Sequence, residues 1–330
     1  MEKSFKKTKA MVFVLAAMLV LICAMLLMTD TADAAAKYYR VPVQSVDSTE
    51  PYKESPVGYI LSEYVFPDSG AKVYYYYAKT ADGERTKFAT TKFEDQLSYG
   101  WKVITNGSKI YYSLERGGLS QNRKGKIYCG STKGGTPKLL KTVSVKSGEQ
   151  ITLLGIYNGK LYFQIADESK TYVEKARLYS LNLKSKELKK VSANFDATFG
   201  NPSGSGRYLY GSSVGKDGLR VFDCKTNKIV RTIKEGYKVR ADGGKLYYST
   251  YNSQKEYTRI YCASLSGANR KLLLNLPWNT TVNYLGADAI CYQVWEEGAA
   301  IDGFHVYTPA TGEDKVVDGT AESGYKWEMS

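Results

Sequence analysis

The chain has 330 residues, 13% of them aromatic, and a formal net charge of +13. This length excludes a minimal domain, although a repeat architecture of the same length still forms one domain with a repeating core. The five cysteines contain no close Cys-x-x-Cys pair, which excludes the usual zinc and redox motifs. We expect neither a metal nor a cofactor.

The first 34 residues have the features of an export signal. Four lysines precede an apolar run from Met11 to Met28, and small residues follow at positions 32–34. We predict a signal peptide over residues 1–34, cleaved near Ala34, and one domain over residues 35–330. The protein would then be secreted, free or associated with the cell wall. An uncleaved N-terminal anchor is the alternative.

A strand pattern recurs six times in the remainder of the chain. Each copy has a polar, usually basic residue, then a β-branched residue or leucine, then an aromatic residue, followed by a turn and a second apolar strand. The copies start 39 to 54 residues apart, which is the spacing of propeller blades. They begin at Lys72, Lys126, Arg177, Arg220, Arg259 and His305.

Further strands complete each unit. Asn106-Gly107, Asn158-Gly159 and Gly243-Gly244 precede short aromatic strands, and such dipeptides supply the positive φ of tight hairpins. Before these turns stand inner strands at 101–105, 151–157, 237–241 and 282–285. A four-stranded unit has two apolar faces that only a ring of neighbours can bury. The sequence therefore predicts an all-β fold, a β-propeller of six four-stranded blades, with five or seven blades as alternatives.

The two ends of the predicted ring are less regular. In the first unit, residues 38–46 and 59–65 would serve as inner strands around a polar loop at 47–56. Near the other end, Tyr325-Lys326-Trp327 is typical of one further strand, which would join the first or the last blade.

Residues 260–273 contain Ile-Tyr followed by Ser-Gly-Ala-Asn-Arg-Lys-Leu-Leu. This segment resembles the repeat of YWTD-type and TolB-like six-bladed propellers. The Asn-Gly-Lys-Leu-Tyr-Phe stretch at 158–163 and the Ile-Tyr strands make the chain similar to uncharacterised secreted bacterial propeller domains. The Trp-Thr-Asp part of the YWTD signature is absent, so the resemblance implies a fold and no particular activity.

Catalytic motifs are missing from the sequence. His305 is the only histidine, and it occupies a position where the other repeats have lysine or arginine, so we interpret it as a strand residue. Cys129, Cys224, Cys262 and Cys291 are interpreted as core residues, with a Cys262–Cys291 disulfide as the alternative. We expect a binding protein rather than an enzyme.

The loops between the second and third strands of each blade would gather on one rim, where binding residues are common. They include residues 114–125, with Arg116 and Arg123, and the segments around Tyr251 and Trp295. Trp278 lies between two units, on the same rim. Aromatic rings beside polar groups suit sugars and peptide side chains. We predict that Trp278, Trp295, Tyr251 and Arg116 bind the ligand.

The basic charge favours a polyanionic neighbour, although solubility alone would also explain it. We expect a partner outside the cell: an anionic wall polymer, a glycan or a protein. We expect no specific nucleic acid, since the basic residues are spread over all repeats. We also expect a monomer without integral membrane association once the signal is cleaved. A secreted propeller lyase or hydrolase, and a purely architectural module, are the alternative functions.

Overall fold

A computed structural model describes residues 38–44, 56–65, 73–80, 83–92, 95–97, 102–116, 120–167, 176–192, 195, 206–213, 216–252, 254–296, 299–300 and 304–317. Every regular element in these segments is a β-strand. None of the described segments forms a helix long and apolar enough to cross a membrane. The predicted signal peptide and the predicted strand at 325–327 lie outside the described residues.

The strands alternate with short turns along the chain. In order they are β1 Tyr39–Gln44, β2 Val57–Val65, β3 Val73–Thr80, β4 Arg85–Lys92, β5 Asp95–Leu97, β6 Lys102–Thr105, β7 Lys109–Arg116, β8 Arg123–Ser131, β9 Lys138–Val145, β10 Glu149–Tyr157, β11 Lys160–Asp167, β12 Ala176–Asn182, β13 Leu188–Ser192, β14 Tyr208–Ser213, β15 Lys216–Asp223, β16 Lys228–Ile233, β17 Gly236–Asp242, β18 Lys245–Asn252, β19 Tyr257–Ser264, β20 Lys271–Pro277, β21 Thr280–Leu285, β22 Ile290–Glu296, β23 Ala299–Ala300, β24 Phe304–Thr308 and β25 Glu313–Val317.

These strands form antiparallel groups in chain order, which we number as blades. Blade 1 contains β2–β4, blade 2 β6–β9, blade 3 β10–β13, blade 4 β14–β16, blade 5 β17–β20, and blade 6 β21, β22, β24 and β25. β5 pairs with β7, and β23 pairs with β22. The predicted all-β architecture of successive blades is confirmed, and six blades agree with these six groups.

The first unit differs from its prediction in one respect. β1 pairs parallel with β2 of blade 1, where Val43 lies opposite Ile60. It also pairs antiparallel with β6 of blade 2, where Arg40 lies opposite Ile104. β1 is therefore shared by two blades and joins them in one continuous sheet, rather than serving blade 1 alone.

Two of the predicted hairpin turns have the expected backbone geometry. Asn158 and Gly159 have φ of 45° and 65°, and Gly243 and Gly244 have φ of 52° and 73°. Positive φ at both central residues matches the right-handed twist of the strands that the turn joins. These dipeptides therefore fix the pairing of β10 with β11 and of β17 with β18.

Adjacent aromatic residues of one strand pack against the blades on either side of it, as blades 2 and 5 show. Tyr111 packs between blades 2 and 3, whereas Tyr112 packs between blades 1 and 2. In the same way, Tyr247 faces blade 6 and Tyr248 faces blade 4. Successive side chains of a strand point to opposite faces. The recurring aromatic pairs in the sequence are thus the inter-blade cores.

A buried ion-pair network connects blades 2 and 3. The Nε of Arg123 donates to Glu115 Oε2 at 2.6 Å, and an Nη of the same guanidinium donates to the main-chain oxygen of Glu149. The other carboxylate oxygen of Glu115 accepts from the main-chain N–H of Ile151 at 2.8 Å. Arg177 pairs with the Glu149 carboxylate. Arg123, expected on a solvated basic rim, is in fact 9% exposed and structural.

Candidate binding cavity

A cavity of about 790 Å³ lies between blades 5 and 6. Its walls come from the start of β17, the end of β18, the start of β19, the β20–β21 connection, the start of β21 and the end of β22. These segments meet at one end of the two blades. The lining residues are Tyr237, Lys238, Ser249, Tyr251, Thr258, Trp278, Asn279, Thr280, Thr281, Val282 and Trp295.

A β-bulge places two of the lining residues. The pairing of β17 with β18 shifts between Gly236 and Val239, so that Tyr237 and Lys238 lie outside the regular ladder. Bulges re-aim side chains in this way, often next to binding sites. The Lys238 main-chain N–H donates to the Ser249 hydroxyl at 3.3 Å instead. The Tyr237 side chain is left 65% exposed at the mouth of the cavity.

The short β20–β21 connection that carries Trp278 is held by hydrogen bonds on both sides. The Thr258 hydroxyl donates to Trp278 O at 3.4 Å, and the Thr280 hydroxyl donates to Pro277 O at 2.8 Å. The Trp295 main-chain N–H donates to Asn279 O at 3.0 Å, and the Asn279 amide donates back to Trp295 O. Trp278 is consequently presented from a fixed backbone, and little ordering is needed for its ring to contact a ligand.

Three aromatic side chains of the cavity face solvent. Tyr237 is 65% exposed, Trp278 is 46% exposed and Tyr251 is 43% exposed. Trp295 is partly buried, and its indole nitrogen is enclosed without a hydrogen-bond acceptor among the described residues. Large apolar rings grouped at a concave surface are typical of binding sites rather than of ordinary protein surface.

Lys238 supplies the positive charge of the lining. Its ammonium group donates to Val282 O at 2.6 Å and so bridges the two blades. Partial burial lowers the pKa of Lys238. Glu235 is near in sequence, but its carboxylate accepts hydrogen bonds from Asn252 at 2.5 Å and from Tyr257 at 2.6 Å. Both hydrogen bonds lower the pKa of Glu235, and the one from Tyr257 has the larger effect.

Three of the four residues predicted to bind a ligand lie around this one cavity. Trp278, Trp295 and Tyr251 all line it, which brings together side chains from three separate strands or connections. The fourth, Arg116, ends β7 in blade 2, and its side chain lies outside the described residues. Their role in binding stays a prediction.

Sequence reasoning missed several residues of the cavity. Tyr237 and Lys238 were interpreted only as the start of an inner strand, and a bulge has no clear signal in a single sequence. Thr258 and Asn279 are not among the residues predicted to bind a ligand, although they line the same cavity as the predicted aromatic residues. Asn279 follows Trp278 in the connection between two blades, so the argument that places Trp278 on the rim applies to Asn279 as well.

The histidine and the cysteines considered in the sequence analysis are not among the lining residues of the cavity. His305 stacks on Tyr292 with ring centres 4.6 Å apart, and its Nδ1 is 3.5 Å from the Asp314 carboxylate. Cys129, Cys224, Cys262 and Cys291 are free thiols, so the alternative Cys262–Cys291 disulfide is absent. The described residues contain no cluster of His, Cys, Asp and Glu side chains suited to a metal ion.

No protein-family model matches the chain, and no curated protein is significantly similar to it. Solved structures do resemble it. An uncharacterized protein of Listeria monocytogenes shares 13% identity with a TM-score of 0.50, over 85% of this chain and 82% of the other. The chain is a β-propeller. The β-propeller domain of the Trilobed protease from Pyrococcus furiosus is 12% identical, with a TM-score of 0.43 over 79% of this chain and 81% of the other.

TolB from Acinetobacter baumannii is 11% identical to the chain, with a TM-score of 0.35 over 79% of this chain and 69% of the other. Likenesses at such low identity concern the fold alone, because propellers of one architecture serve unrelated functions. The cavity, rather than the fold, therefore bears on the function of this chain.

Proposed function

We propose that this protein is an exported, non-catalytic propeller that binds a saccharide chain of an extracellular polymer in the cavity between blades 5 and 6. The observation that carries the proposal is the grouping of Tyr237, Tyr251 and Trp278, all more than 40% exposed, around one cavity of about 790 Å³. The export-signal features of residues 1–34 support a location outside the cell.

Exposed rings suit a sugar because its C–H faces are apolar while its edges carry hydroxyls. An aromatic side chain offers a large contact area with little loss of conformational entropy, since its ring has few rotatable bonds. Trp278 is held by the hydrogen bonds of its connection, and Tyr251 N–H donates to Glu235 O at 3.0 Å. Both rings are thus presented from ordered backbone.

The polar part of the lining matches a sugar as well. The Ser249 and Thr281 hydroxyls are able to donate and accept hydrogen bonds, and the side-chain carbonyl of Asn279 is able to accept them. The lining residues named above comprise aromatic, hydroxyl, amide and aliphatic side chains with one lysine, a composition suited to recognition. Glycoside hydrolysis would instead need a pair of carboxyl groups facing the bond to be cleaved.

The test is binding of the purified protein to an array of oligosaccharides from bacterial wall and capsular polymers, followed by calorimetric titration of the best-bound member. We expect saturable binding at one site per chain, with the oligosaccharide recovered at its original length after prolonged incubation. Shortened or unsaturated products would show that the protein is an enzyme. Binding to no saccharide would contradict the proposal and direct attention to protein partners.

A further inference from the structure

The hydrogen-bonding groups of the cavity fall into two sets, those already satisfied and those that remain open. Thr258 and Thr280 direct their hydroxyl protons to main-chain carbonyls, at 3.4 Å and 2.8 Å. The Asn279 amide also donates to a main-chain carbonyl. These three side chains hold the walls together, so a ligand must be recognised mainly by other donors.

One strong donor remains open. The ammonium group of Lys238 has three N–H bonds, and one of them is directed to Val282 O at 2.6 Å. The indole nitrogen of Trp295 is enclosed by protein atoms, so a ligand in the cavity does not reach it. The other N–H bonds of Lys238 are the ones that a ligand oxygen can accept from.

The charge of the cavity favours an anionic ligand. Lys238 is the charged side chain among the lining residues. Glu235, the neighbouring carboxylate, is held by Asn252 and Tyr257 and is not part of the lining. Burial lowers the pKa of Lys238, as expected for an ammonium group that has no close anion among the described residues. An anion in the cavity would meet a partly desolvated cation, where attraction is stronger than at the open surface.

We infer that the saccharide bound between blades 5 and 6 carries an oxyanion, a carboxylate or a phosphate, that contacts the ammonium group of Lys238. The sugar ring then packs on the exposed aromatic side chains. This inference rests on the proposed function and adds the chemical class of the ligand. Carboxylate and phosphate both present acceptor oxygens to an ammonium group, and they differ in the polymer that would supply them.

The experiment compares matched ligands by calorimetric titration. One pair is an oligosaccharide of uronic acids and its carboxyl-reduced neutral counterpart, and the third ligand is a poly(glycerol phosphate) chain bearing sugar substituents. The oligosaccharide of uronic acids is the one that binds best on the oligosaccharide array described above. The anionic ligand should bind roughly 10- to 100-fold more tightly than the neutral one, as expected for a hydrogen-bonded charge. The uronate and phosphate arms identify the source of the oxyanion.

Variants of Lys238 test the residue itself. Lys238→Met should lose the preference for the anionic ligand, so that the anionic and neutral ligands bind with similar affinity, because the aromatic contacts remain. Lys238→Arg should retain most of the preference. Lys228→Met, which removes an exposed charge from blade 4, should bind both ligands as the wild type does. Retained neutral binding also shows that the Lys238→Met protein is folded.

The outcomes separate the two proposals. Equal binding of anionic and neutral ligands, or an unchanged preference in Lys238→Met, would overturn the inference and leave the saccharide site intact. Absence of binding to every saccharide would overturn the proposed function and the inference together. A preference abolished equally by Lys228→Met would indicate bulk charge and would also overturn the inference.

Discussion

Replacing Arg123 with methionine will lower the free energy of unfolding by about 3–5 kcal/mol. The side chains of Arg123 and Glu115 are only 5% and 6% exposed. Without the guanidinium, the Glu115 carboxylate keeps the hydrogen bond from Ile151 N–H but stays buried without a countercharge. The Glu149 main-chain oxygen also loses its donor from Arg123. Urea unfolding followed by tryptophan fluorescence measures the loss.

An exposed ion pair of the same type provides the control. Arg85 and Glu63 are 2.6 Å apart, with side chains 50% and 32% exposed. Because water screens such pairs, Arg85→Met should cost less than about 1 kcal/mol. The double variant Glu115→Gln/Arg123→Met should recover part of the stability, since no charge is then left buried. An Arg123→Met protein as stable as Arg85→Met would contradict the structural role of the network.

Trp278→Ala will weaken saccharide binding about 30-fold, which corresponds to about 2 kcal/mol. The indole is 46% exposed at the cavity, while its backbone accepts a hydrogen bond from Thr258. The substitution therefore removes a contact surface and leaves the connection in place. Calorimetric titration with the best-bound oligosaccharide measures the change, and the urea midpoint should stay close to that of the wild type.

Two variants accompany Trp278→Ala. Trp278→Phe keeps a ring at this position and should retain most of the affinity. Tyr64→Ala removes another exposed ring, 40% exposed in blade 1 and remote from the cavity in sequence, and should leave binding unchanged. Wild-type affinity in Trp278→Ala would show that this side chain is no part of the binding surface.

The repeating part of the fold could be predicted because its signals are local. Asn158-Gly159 sets a hairpin by its own φ preferences. The pair Tyr247-Tyr248 sends one ring to each face of its blade, and this alternation is visible in the sequence. The position of β1 could not be predicted, because its pairing with β2 and β6 depends on contacts between distant segments.

Cavity residues could be predicted where their position in a loop places them on the rim. They could not be predicted where a hydrogen bond to a distant segment determines the position of the side chain. Trp278 and Tyr251 follow from the expected rim, since strand order places these segments at one end of the blades. Lys238 depends on a β-bulge and on a carbonyl of the next blade. Arg123 lies in a rim segment too, but the Glu115 carboxylate and the main-chain oxygen of Glu149, 8 and 26 residues away in the chain, hold it in the interior.

The most direct test of the saccharide site is a footprint of the bound ligand. Hydrogen–deuterium exchange is compared for the purified protein alone and saturated with its best-bound oligosaccharide. We predict slower exchange in the segments that form the cavity, residues 236–252 and 277–296, and unchanged exchange in blades 2 and 3. Protection confined to another pair of blades, with none around Trp278, would contradict the site proposed between blades 5 and 6.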